Sequence, residues 1–213
     1  DEQQQQQQQQ QAPSAHAIAR AADLTRGTPR HGRQGAGALQ LAFATAEACG
    51  ATVVLANDPD ADRLAVAERA KTEDESPWRV FTGNEIGTLL GHWEWSKWRE
   101  ANPDADPSRV AMLASAVSST HLGMISEVEG FRFEQTLTGF KWMGNRAQEL
   151  ERDEDCQVVF AFEEAIGFCV GPNTFVRDKD GVTAAAVFAE MYLQLRERGL
   201  TVSEHLRQLG ERY

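Results

Sequence analysis

The feature that most limits the possible folds is an alternation of short apolar segments with longer segments of helical periodicity, which runs from Ala38 to Tyr213. Stretches such as TVVLA and QVVFAF have the length and β-branched composition of buried strands. Between such stretches stand amphipathic ones, for example VTAAAVFAEMYLQLRERG, with apolar residues on one helical face. Strands that alternate with helices indicate the α/β fold class.

Local signals predict where several elements begin and end. Asn84 is the expected N-cap of a helix over GNEIGTLLGHWEWSKWREANP, and Gly130 is expected to close the helix THLGMISEVE. The segment WRVF is expected to extend the strand LAVAE. TGFKWMG and EEAIGFCVGPNTFVRDKDG are predicted to be loops, and Trp142 and Met143 within the first are expected to be core residues.

The N-terminal segment differs in composition from the rest of the chain. Residues 1–34 contain a glutamine tract followed by Ala, Pro, Gly and Arg, which predicts a low-complexity, disordered segment. Beyond it we place a domain boundary near Gly83, which divides residues 35–82 from residues 83–213.

Charge and composition exclude some classes of partner. The net charge of −11 argues against a nucleic-acid partner, because a phosphate backbone requires a basic surface. No apolar run approaches the length of a membrane span, so no membrane partner is expected. Three widely spaced cysteines predict buried thiols in a reducing compartment, and therefore a cytoplasmic protein.

The stretch VVLANDPDADRLAVAE sets three aspartates, Asp58, Asp60 and Asp62, between two apolar strands. If the three carboxylates converge, a cation must offset their repulsion, and carboxylate oxygens without His or Cys suit Mg²⁺ or Ca²⁺. An EF-hand is excluded, because Arg63 and Arg69 stand where that loop needs Gly and Glu. A solvated acidic turn is the competing interpretation, and Arg63 weakens it, because a guanidinium beside a metal cluster suits a bridging phosphate.

The chain resembles the α-D-phosphohexomutase superfamily, the phosphoglucomutases and phosphomannomutases. The resemblance rests on NDPDADR together with FTGNEIGTLLG, TLTGFKWMGNRA, FAFEEAIGF and VRDKDGVTAA, in that order and spacing, and extends from about Gly37 to Tyr213. The wording of these motifs is most similar to the phosphopentomutase and phosphoglucomutase type 2 branch. It implies mixed-sheet α/β domains with flanking helices: the C-terminal part of domain two in residues 35–82 and domain three in residues 83–213.

The resemblance implies a metal site and a phosphoryl-transfer role. In that family the three loop aspartates bind Mg²⁺, and a phosphoserine oxygen is the fourth ligand, so Asp58, Asp60 and Asp62 are the implied ligands. Arg63 is the implied contact near the phosphoryl group. Lys179 in RDKDG matches a lysine that lies close to the transferred phosphate, where it either neutralises charge or, with a lowered pKa, moves a proton.

The resemblance also implies a sugar site for a phosphorylated pentose or hexose. Glu163 in EEAIG matches the glutamate that accepts hydrogen bonds from ring hydroxyls, and it is expected at the carboxyl end of the strand QVVFAF. The other implied contacts near the sugar are Thr138, Gly139 and Lys141 of the T-G-x-K pattern, and Arg177 is a candidate contact for the substrate phosphate. Ala165 stands where the hexose enzymes usually carry Ser, which favours a pentose phosphate or a relaxed site.

Two family segments are absent from the 213 residues: the segment with the nucleophilic serine and the phosphate clamp of the last domain. We therefore expect a fragment that has no mutase activity alone. The complete protein is expected to be an Mg²⁺-dependent intramolecular phosphotransferase that interconverts sugar 1-phosphate and terminal 5- or 6-phosphate through a bisphosphate. The alternatives are a glucose-1,6-bisphosphate synthase and a non-catalytic binding module derived from a mutase.

Overall fold

The computed structural model of the protein describes residues 17–20, 36–70, 77–171 and 177–213. The strands are β1 (Ala17–Arg20), β2 (Val53–Asn57), β3 (Leu64–Arg69), β4 (Trp78–Val80), β5 (Val110–Ser115), β6 (Arg132–Thr136), β7 (Gln157–Glu163) and β8 (Gly167–Val170). The α-helices are α1 (Ala36–Cys49), α2 (Gly83–Ala101), α3 (His121–Glu129), α4 (Phe140–Asp153), α5 (Gly181–Glu197) and α6 (Val202–Arg212), and a 3₁₀ turn spans Pro107–Arg109.

The described strands form two mixed four-stranded sheets. Sheet A has the order β1-β2-β3-β4, with β1 parallel to β2 and the other pairs antiparallel. Sheet B has the order β6-β5-β7-β8, in which β5 runs parallel to both neighbours and β8 is antiparallel to β7. Crossover helices join the parallel strands of sheet B, so the predicted α/β class with mixed sheets and flanking helices is confirmed.

Apolar side chains cover both faces of sheet B. Along β5, Val110, Met112 and Ala114 belong to one core cluster, and the intervening Ala111 and Leu113 belong to another, which α4 covers. This period-two division is what a strand buried on both faces requires, and it produces a helix–sheet–helix sandwich.

One core cluster extends across the two sheets. It joins buried residues of β2 and β3, such as Leu55 and Leu64, to Phe160 and Phe168 of sheet B and to helices α2 and α5. On the opposite face of sheet A, α1 packs against Val54 and its neighbours. The shared cluster fixes the carboxyl ends of β2 and β7 near one another, and this is where the predicted site residues lie.

Helix α2 approaches sheet B closely because it presents glycines at every fourth position. A Cβ atom on Gly87 would lie 2.3 Å from the Phe162 ring, and one on Gly91 would lie 2.3 Å from a Leu122 methyl group. At Gly83 the same atom would lie 2.1 Å from the carbonyl oxygen of Glu164, so the start of the helix packs directly on the 163–166 turn.

The structure corrects two local predictions, on the N-cap of α2 and on the segment WRVF, and confirms a third, on the end of α3. The N-cap of α2 is Thr82 and not Asn84: the Thr82 hydroxyl accepts from the Glu85 N–H while the Glu85 carboxylate accepts from the Thr82 N–H, a capping box. Asn84 instead accepts from the N–H of Ser119 at 2.8 Å. The segment WRVF does not extend β3; it forms the separate antiparallel strand β4. Helix α3 closes at Gly130 in the left-handed conformation, as predicted.

Two predicted loops contain regular structure. Helix α4 begins at Phe140, inside the predicted loop TGFKWMG. The stretch predicted as a loop after Glu163 contains β8, which pairs with β7 and covers its open edge. Most of the N-terminal segment predicted to be disordered lies outside the described residues; within it, Ala17–Arg20 is a strand paired with β2.

The cysteines and the helices bear on two further expectations. Cys156 is buried, Cys169 is half-buried and Cys49 is exposed, so the prediction of buried thiols is wrong for Cys49; within the described residues none of the three is in a disulfide. Across the described ranges, no helix combines the length and the apolar character that crossing a bilayer requires.

Glu94, a half-buried residue of α2, gives a pH-dependent contribution to stability. Burial raises the pKa of Glu94 from 4.5 to about 7, and the Glu190 carboxylate adds to the effect. The folded state therefore binds a proton that the unfolded state releases, and the free energy of unfolding falls as pH rises from 4.5 to about 7. On the same helix, burial lowers the pKa of His92 from 6.5 to about 4, which acts in the opposite direction.

We expect Glu94→Gln to be more stable than the parent at pH 8, by roughly 1–2 kcal/mol after solvent screening is allowed for. This advantage should shrink toward pH 5, because Glu94 is then protonated. Urea unfolding at several pH values measures it. Glu127→Gln, which replaces an exposed carboxylate on α3, is the control. If the two variants keep the same offset from the parent at every pH, Glu94 does not carry the effect.

Candidate functional site

The aspartate turn is closed by side-chain and backbone contacts within the sequence Asn57–Arg63. The Asn57 amide donates to the carbonyl of Arg63 at 2.7 Å, and the Arg63 N–H donates to Asp58 Oδ1 at 3.2 Å. Ala61 occupies the left-handed region with φ of 59°, which costs an L-residue about 1–2 kcal/mol. The turn is therefore held in a conformation that only its surroundings maintain.

Backbone hydrogen bonds connect this turn to two distant segments. The Leu64 N–H donates to the Ile166 carbonyl at 3.1 Å, beside a bridge between Arg63 and Gly167 that links sheet A to sheet B. The Gly181 N–H donates to the Ala61 carbonyl at 3.1 Å. The aspartate turn, the turn after Glu163 and the start of α5 thus meet, although about 100 residues or more separate the first from the others.

The two predicted cationic residues lie against the aspartates. Arg63 Nε is 3.5 Å from Asp58 Oδ2 and 3.8 Å from Asp62 Oδ1, and Lys179 Nζ is 3.3 Å from Asp62 Oδ2. Burial alone would lower the pKa of Lys179, but hydrogen bonds and charge from Asp178 and Asp62 outweigh it and raise the pKa. This arrangement favours a charged ammonium, which neutralises negative charge, over a proton acceptor.

The stem of Lys179 is positioned by packing. A Cβ atom on Gly167 would lie 2.5 Å from the Lys179 Cδ, so the lysine crosses directly over this glycine. Lys179 Nζ is 5.3 Å from the centre of the Phe140 ring, within range of a cation–π contact. Because residue 167 has no side chain, the lysine stem can lie across it, and the ammonium group reaches the aspartates.

The aspartates have the donor chemistry that suits Mg²⁺. All their donors are oxygens, Asp58 is buried at 2% exposure, and Asp62 Oδ1 is buried without a hydrogen-bond partner among the described residues. Such an orphaned oxygen fits a ligand for a cation. Within the described part of the chain, however, no three His, Cys, Asp or Glu side chains converge enough to hold a metal. The assignment of Asp58, Asp60 and Asp62 as ligands stays a prediction.

The predicted sugar-binding residues lie at one end of sheet B. Glu163 is the last residue of β7, as predicted, and its Oε1 accepts from the Gly139 N–H at 2.5 Å. Thr138 and Lys141 flank this contact; Lys141 is exposed and Thr138 is exposed beside it. The structure thus brings Glu163 and the T-G-x-K segment together, and Gly139 makes the contact through its backbone.

Two serines, which the sequence motifs did not point to, orient the turn after Glu163. Ser115 and Ser118 donate hydroxyl hydrogen bonds to Glu164 Oε2 at 3.0 and 3.1 Å, and the Glu164 N–H donates to Ser118 Oγ at 3.0 Å. Ile166 in the same turn has φ of 59°, an outlier for a β-branched residue. The sequence feature that could have pointed to these two residues is the group of serines after the apolar run VAMLA.

Arg177 and Trp142 have surroundings that the sequence did not indicate. The guanidinium of Arg177 pairs with Glu151 of α4, and this contact raises its pKa; its assignment as a substrate contact stays a prediction. Met143 is buried as expected, but Trp142 is 54% exposed, so its assignment to the core is wrong. Trp142 lies in the first turn of an amphipathic helix, on the side that faces away from the sheet.

Comparison with known proteins adds sequence relatives. The family model for phosphoglucomutase/phosphomannomutase, alpha/beta/alpha domain III, matches residues 82–213. A phosphopentomutase of Mus musculus is 52% identical over 181 residues, covering 84% of this chain and 28% of that protein. A glucose 1,6-bisphosphate synthase of Mus musculus is 49% identical over 180 residues, with 84% and 28% covered. The chain thus spans less than a third of the length of these relatives.

Solved structures of other proteins have a similar fold. A phosphoglucomutase/phosphomannomutase family protein from Burkholderia thailandensis matches with a TM-score of 0.57 at 18% identity, over 80% of this chain and 31% of that chain. The N-acetylphosphoglucosamine mutase of Aspergillus fumigatus, in complex with GlcNAc-6P and magnesium, matches with a TM-score of 0.52 at 17% identity, over 73% and 35%. These likenesses confirm the predicted fold, and the family match confirms the predicted superfamily resemblance.

Proposed function

Because the chain belongs to the phosphoglucomutase/phosphomannomutase family, we propose that it carries the metal loop and the sugar loop of a phosphosugar mutase. The reaction is an intramolecular phosphoryl transfer between the 1-position and the terminal position of a phosphorylated pentose or hexose. The observation that supports this most is the meeting of the aspartate turn with Lys179 and with the turn that follows Glu163.

Each residue has a role that its surroundings permit. Arg63 and Lys179 stabilise the charge of the transferred phosphoryl group, since phosphoryl transfer depends on positioning and positive charge. Asp58, Asp60 and Asp62 would hold Mg²⁺, which would supply positive charge to neutralise the phosphoryl group. Glu163 accepts hydrogen bonds from the sugar hydroxyls, with Thr138 and Lys141 beside it.

The identity of Ala165 supports a pentose phosphate or a relaxed site over a strict hexose site. The residue is exposed in the turn after Glu163 and offers a sugar no hydroxyl. The relative at 52% identity, a phosphopentomutase, supports the same choice. The relative at 49% identity is a glucose 1,6-bisphosphate synthase, so synthesis of a sugar bisphosphate is the second candidate.

The test uses a full-length protein that contains this segment. Phosphorus NMR follows ribose 1-phosphate in the presence of Mg²⁺, and we expect ribose 5-phosphate to accumulate to equilibrium. Omission of Mg²⁺ with a chelator should stop the reaction. Competition between 1,3-bisphosphoglycerate and a sugar bisphosphate as phosphoryl donor separates a synthase from a mutase. If no sugar phosphate is isomerised and none is converted to a bisphosphate with either donor present, both candidates are contradicted.

We expect the 213-residue chain by itself to show no mutase activity, since the family segments with the nucleophilic serine and the phosphate clamp are not among its residues. The same phosphorus NMR assay, at the same protein concentration as the full-length protein, measures this. Turnover by the isolated chain above a heat-inactivated control would show that these residues hold a complete catalytic set.

A further inference from the structure

Trp142 differs from the other four tryptophans in its hydrogen bonding. The indole N–H groups of the others each donate to a Glu or Gln side chain, at 3.0–3.4 Å: Trp78 to Glu47, Trp93 to Glu190, Trp95 to Glu129 and Trp98 to Gln157. Trp142 is 54% exposed, and its side chain makes no hydrogen bond or ring contact with another described residue. An indole with a free face and a free N–H is the form that ligand sites and interfaces use.

The backbone of Trp142 is hydrogen-bonded to the predicted sugar loop. The backbone N–H of Trp142 donates to the carbonyl of Gly139 at 2.9 Å, and a Cβ atom on Gly139 would lie 3.7 Å from Trp142 Cδ1. The N–H of the same Gly139 donates to Glu163 Oε1 at 2.5 Å. Gly139 therefore links the two residues through its backbone: its N–H donates to the Glu163 carboxylate, and its carbonyl accepts from the backbone N–H of Trp142.

Gly139 has open space at its Cβ position: Trp142 Cδ1, at 3.7 Å, is the one atom of the described residues within 4 Å, its chain neighbours aside. The glycine has φ of 117°, a conformation that L side chains rarely adopt, so the loop keeps a bare backbone at this point. Lys141 and Thr138 on the same turn are exposed. The exposed surface of this turn thus offers an aromatic ring, a hydroxyl and an ammonium, and the Glu163 carboxylate that Gly139 binds is buried at 9% exposure.

This combination matches the two kinds of surface on a sugar ring. A sugar ring has polar edges, which a carboxylate and an ammonium bind, and a face of C–H bonds whose slightly positive hydrogens pack on the negative face of an aromatic ring. We propose that the Trp142 indole is the platform on which the ring of the sugar phosphate stacks while Glu163 binds its hydroxyls. This inference rests on the proposed function, because it gives the sugar of that reaction its apolar contact.

Stacking on Trp142 would also add affinity at a site where Ala165 offers the sugar no hydroxyl group. A site with no hydroxyl at that position has one fewer polar contact to distinguish one sugar from another. An aromatic platform contributes affinity through the C–H face, and it discriminates little between hydroxyl patterns. Trp142 would therefore support binding of both pentose and hexose phosphates.

The first test observes the indole N–H signals of the 213-residue chain by NMR during titration with ribose 5-phosphate. We expect the Trp142 signal, identified by its loss in Trp142→Phe, to shift with the amide signals of Gly139 and Thr138. The four hydrogen-bonded indoles serve as internal references and should stay in place. Titration with inorganic phosphate, which has no ring, should leave the Trp142 signal unchanged.

The outcomes separate this inference from the proposed function. If the amides around Gly139 and Glu163 respond to ribose 5-phosphate and the Trp142 indole does not, the sugar site stands and the platform is wrong. If neither responds at a concentration of several tens of millimolar, the sugar site itself is contradicted. If the indole is the only signal that responds, binding is unrelated to Glu163 and the platform is also wrong.

The second test uses a full-length protein that contains this segment. Trp142→Leu keeps an apolar side chain but removes the aromatic face, and we expect KM for the sugar phosphate to rise about tenfold, the factor that corresponds to 1.4 kcal/mol. Trp142→Phe should raise KM less. Leu41→Ala, at a residue 77% exposed on α1, is the control and should leave KM unchanged. An unchanged KM for Trp142→Leu would overturn the proposal.

Discussion

Asp60→Asn in a full-length protein that contains this segment should lower the turnover of sugar phosphates by about a thousandfold, since a bound metal contributes several kcal/mol to phosphoryl transfer. The change removes one anionic oxygen donor and keeps the size of the side chain. Asp60 is exposed, and no ion pair or hydrogen bond of its carboxylate is seen in the described residues, so its replacement should not disturb packing. Circular dichroism and thermal unfolding should therefore be the same as for the parent.

The matched control is Asp104→Asn, which replaces an exposed aspartate in the loop after α2 with the same loss of charge. Its turnover should equal that of the parent. Steady-state kinetics over a range of Mg²⁺ concentrations measure both variants, and calorimetry measures Mg²⁺ affinity. If Asp60→Asn retains turnover within threefold of the parent at every Mg²⁺ concentration, the metal assignment of the aspartate turn has to be abandoned.

Gly181→Ala should lower both stability and Mg²⁺ affinity. A Cβ atom at Gly181 would lie 2.3 Å from the carbonyl oxygen of Arg63 and 2.5 Å from the Asn57 side-chain nitrogen. Both neighbours are held by the hydrogen bond that closes the aspartate turn, so the start of α5 must move away from it. Overpacking of this kind costs about 1–3 kcal/mol. In a protein of this size each kcal/mol lowers Tm by about 2–4 °C.

The chain offers a matched control of opposite sign. Gly210 lies inside α6, and a Cβ atom added there would have no other atom within 4 Å, so Gly210→Ala should raise stability by about 0.5–1 kcal/mol through helix propensity. Urea unfolding measures both variants, and calorimetry measures their Mg²⁺ affinity. Equal effects of the two substitutions would mean that the contact between α5 and the aspartate turn is not tight.

The sequence allowed the elements to be predicted where periodicity was strong. The strand ending at Glu163 and the helix closing at Gly130 follow from apolar patterning and a glycine stop. The start of α2 was missed because Asn84 and Thr82 are both good caps, and the choice depends on Glu85, three residues after Thr82. Strand β8 was missed because it is short and follows a tight turn.

The candidate site could be predicted as separate motifs but not as an arrangement. Motif resemblance identified Asp62 and Lys179 individually, and the structure adds that they are an ion pair 3.3 Å apart. Local pattern carries no information about such a contact, because it depends on how sheet A and sheet B meet. The exposure of Trp142 was unpredictable for a similar reason: an aromatic residue in an amphipathic helix is buried or exposed according to the direction in which the helix is docked.

The bridge between Arg63 and Gly167 has a consequence for where this chain can be divided. A recombinant protein that starts at residue 82, where the family match begins, would leave the Ile166 carbonyl without the Leu64 N–H and would uncover the core that Leu64 fills. The candidate site is thus built from segments about 100 residues apart in the sequence. The later segment alone, placed on another scaffold, would carry only part of the site.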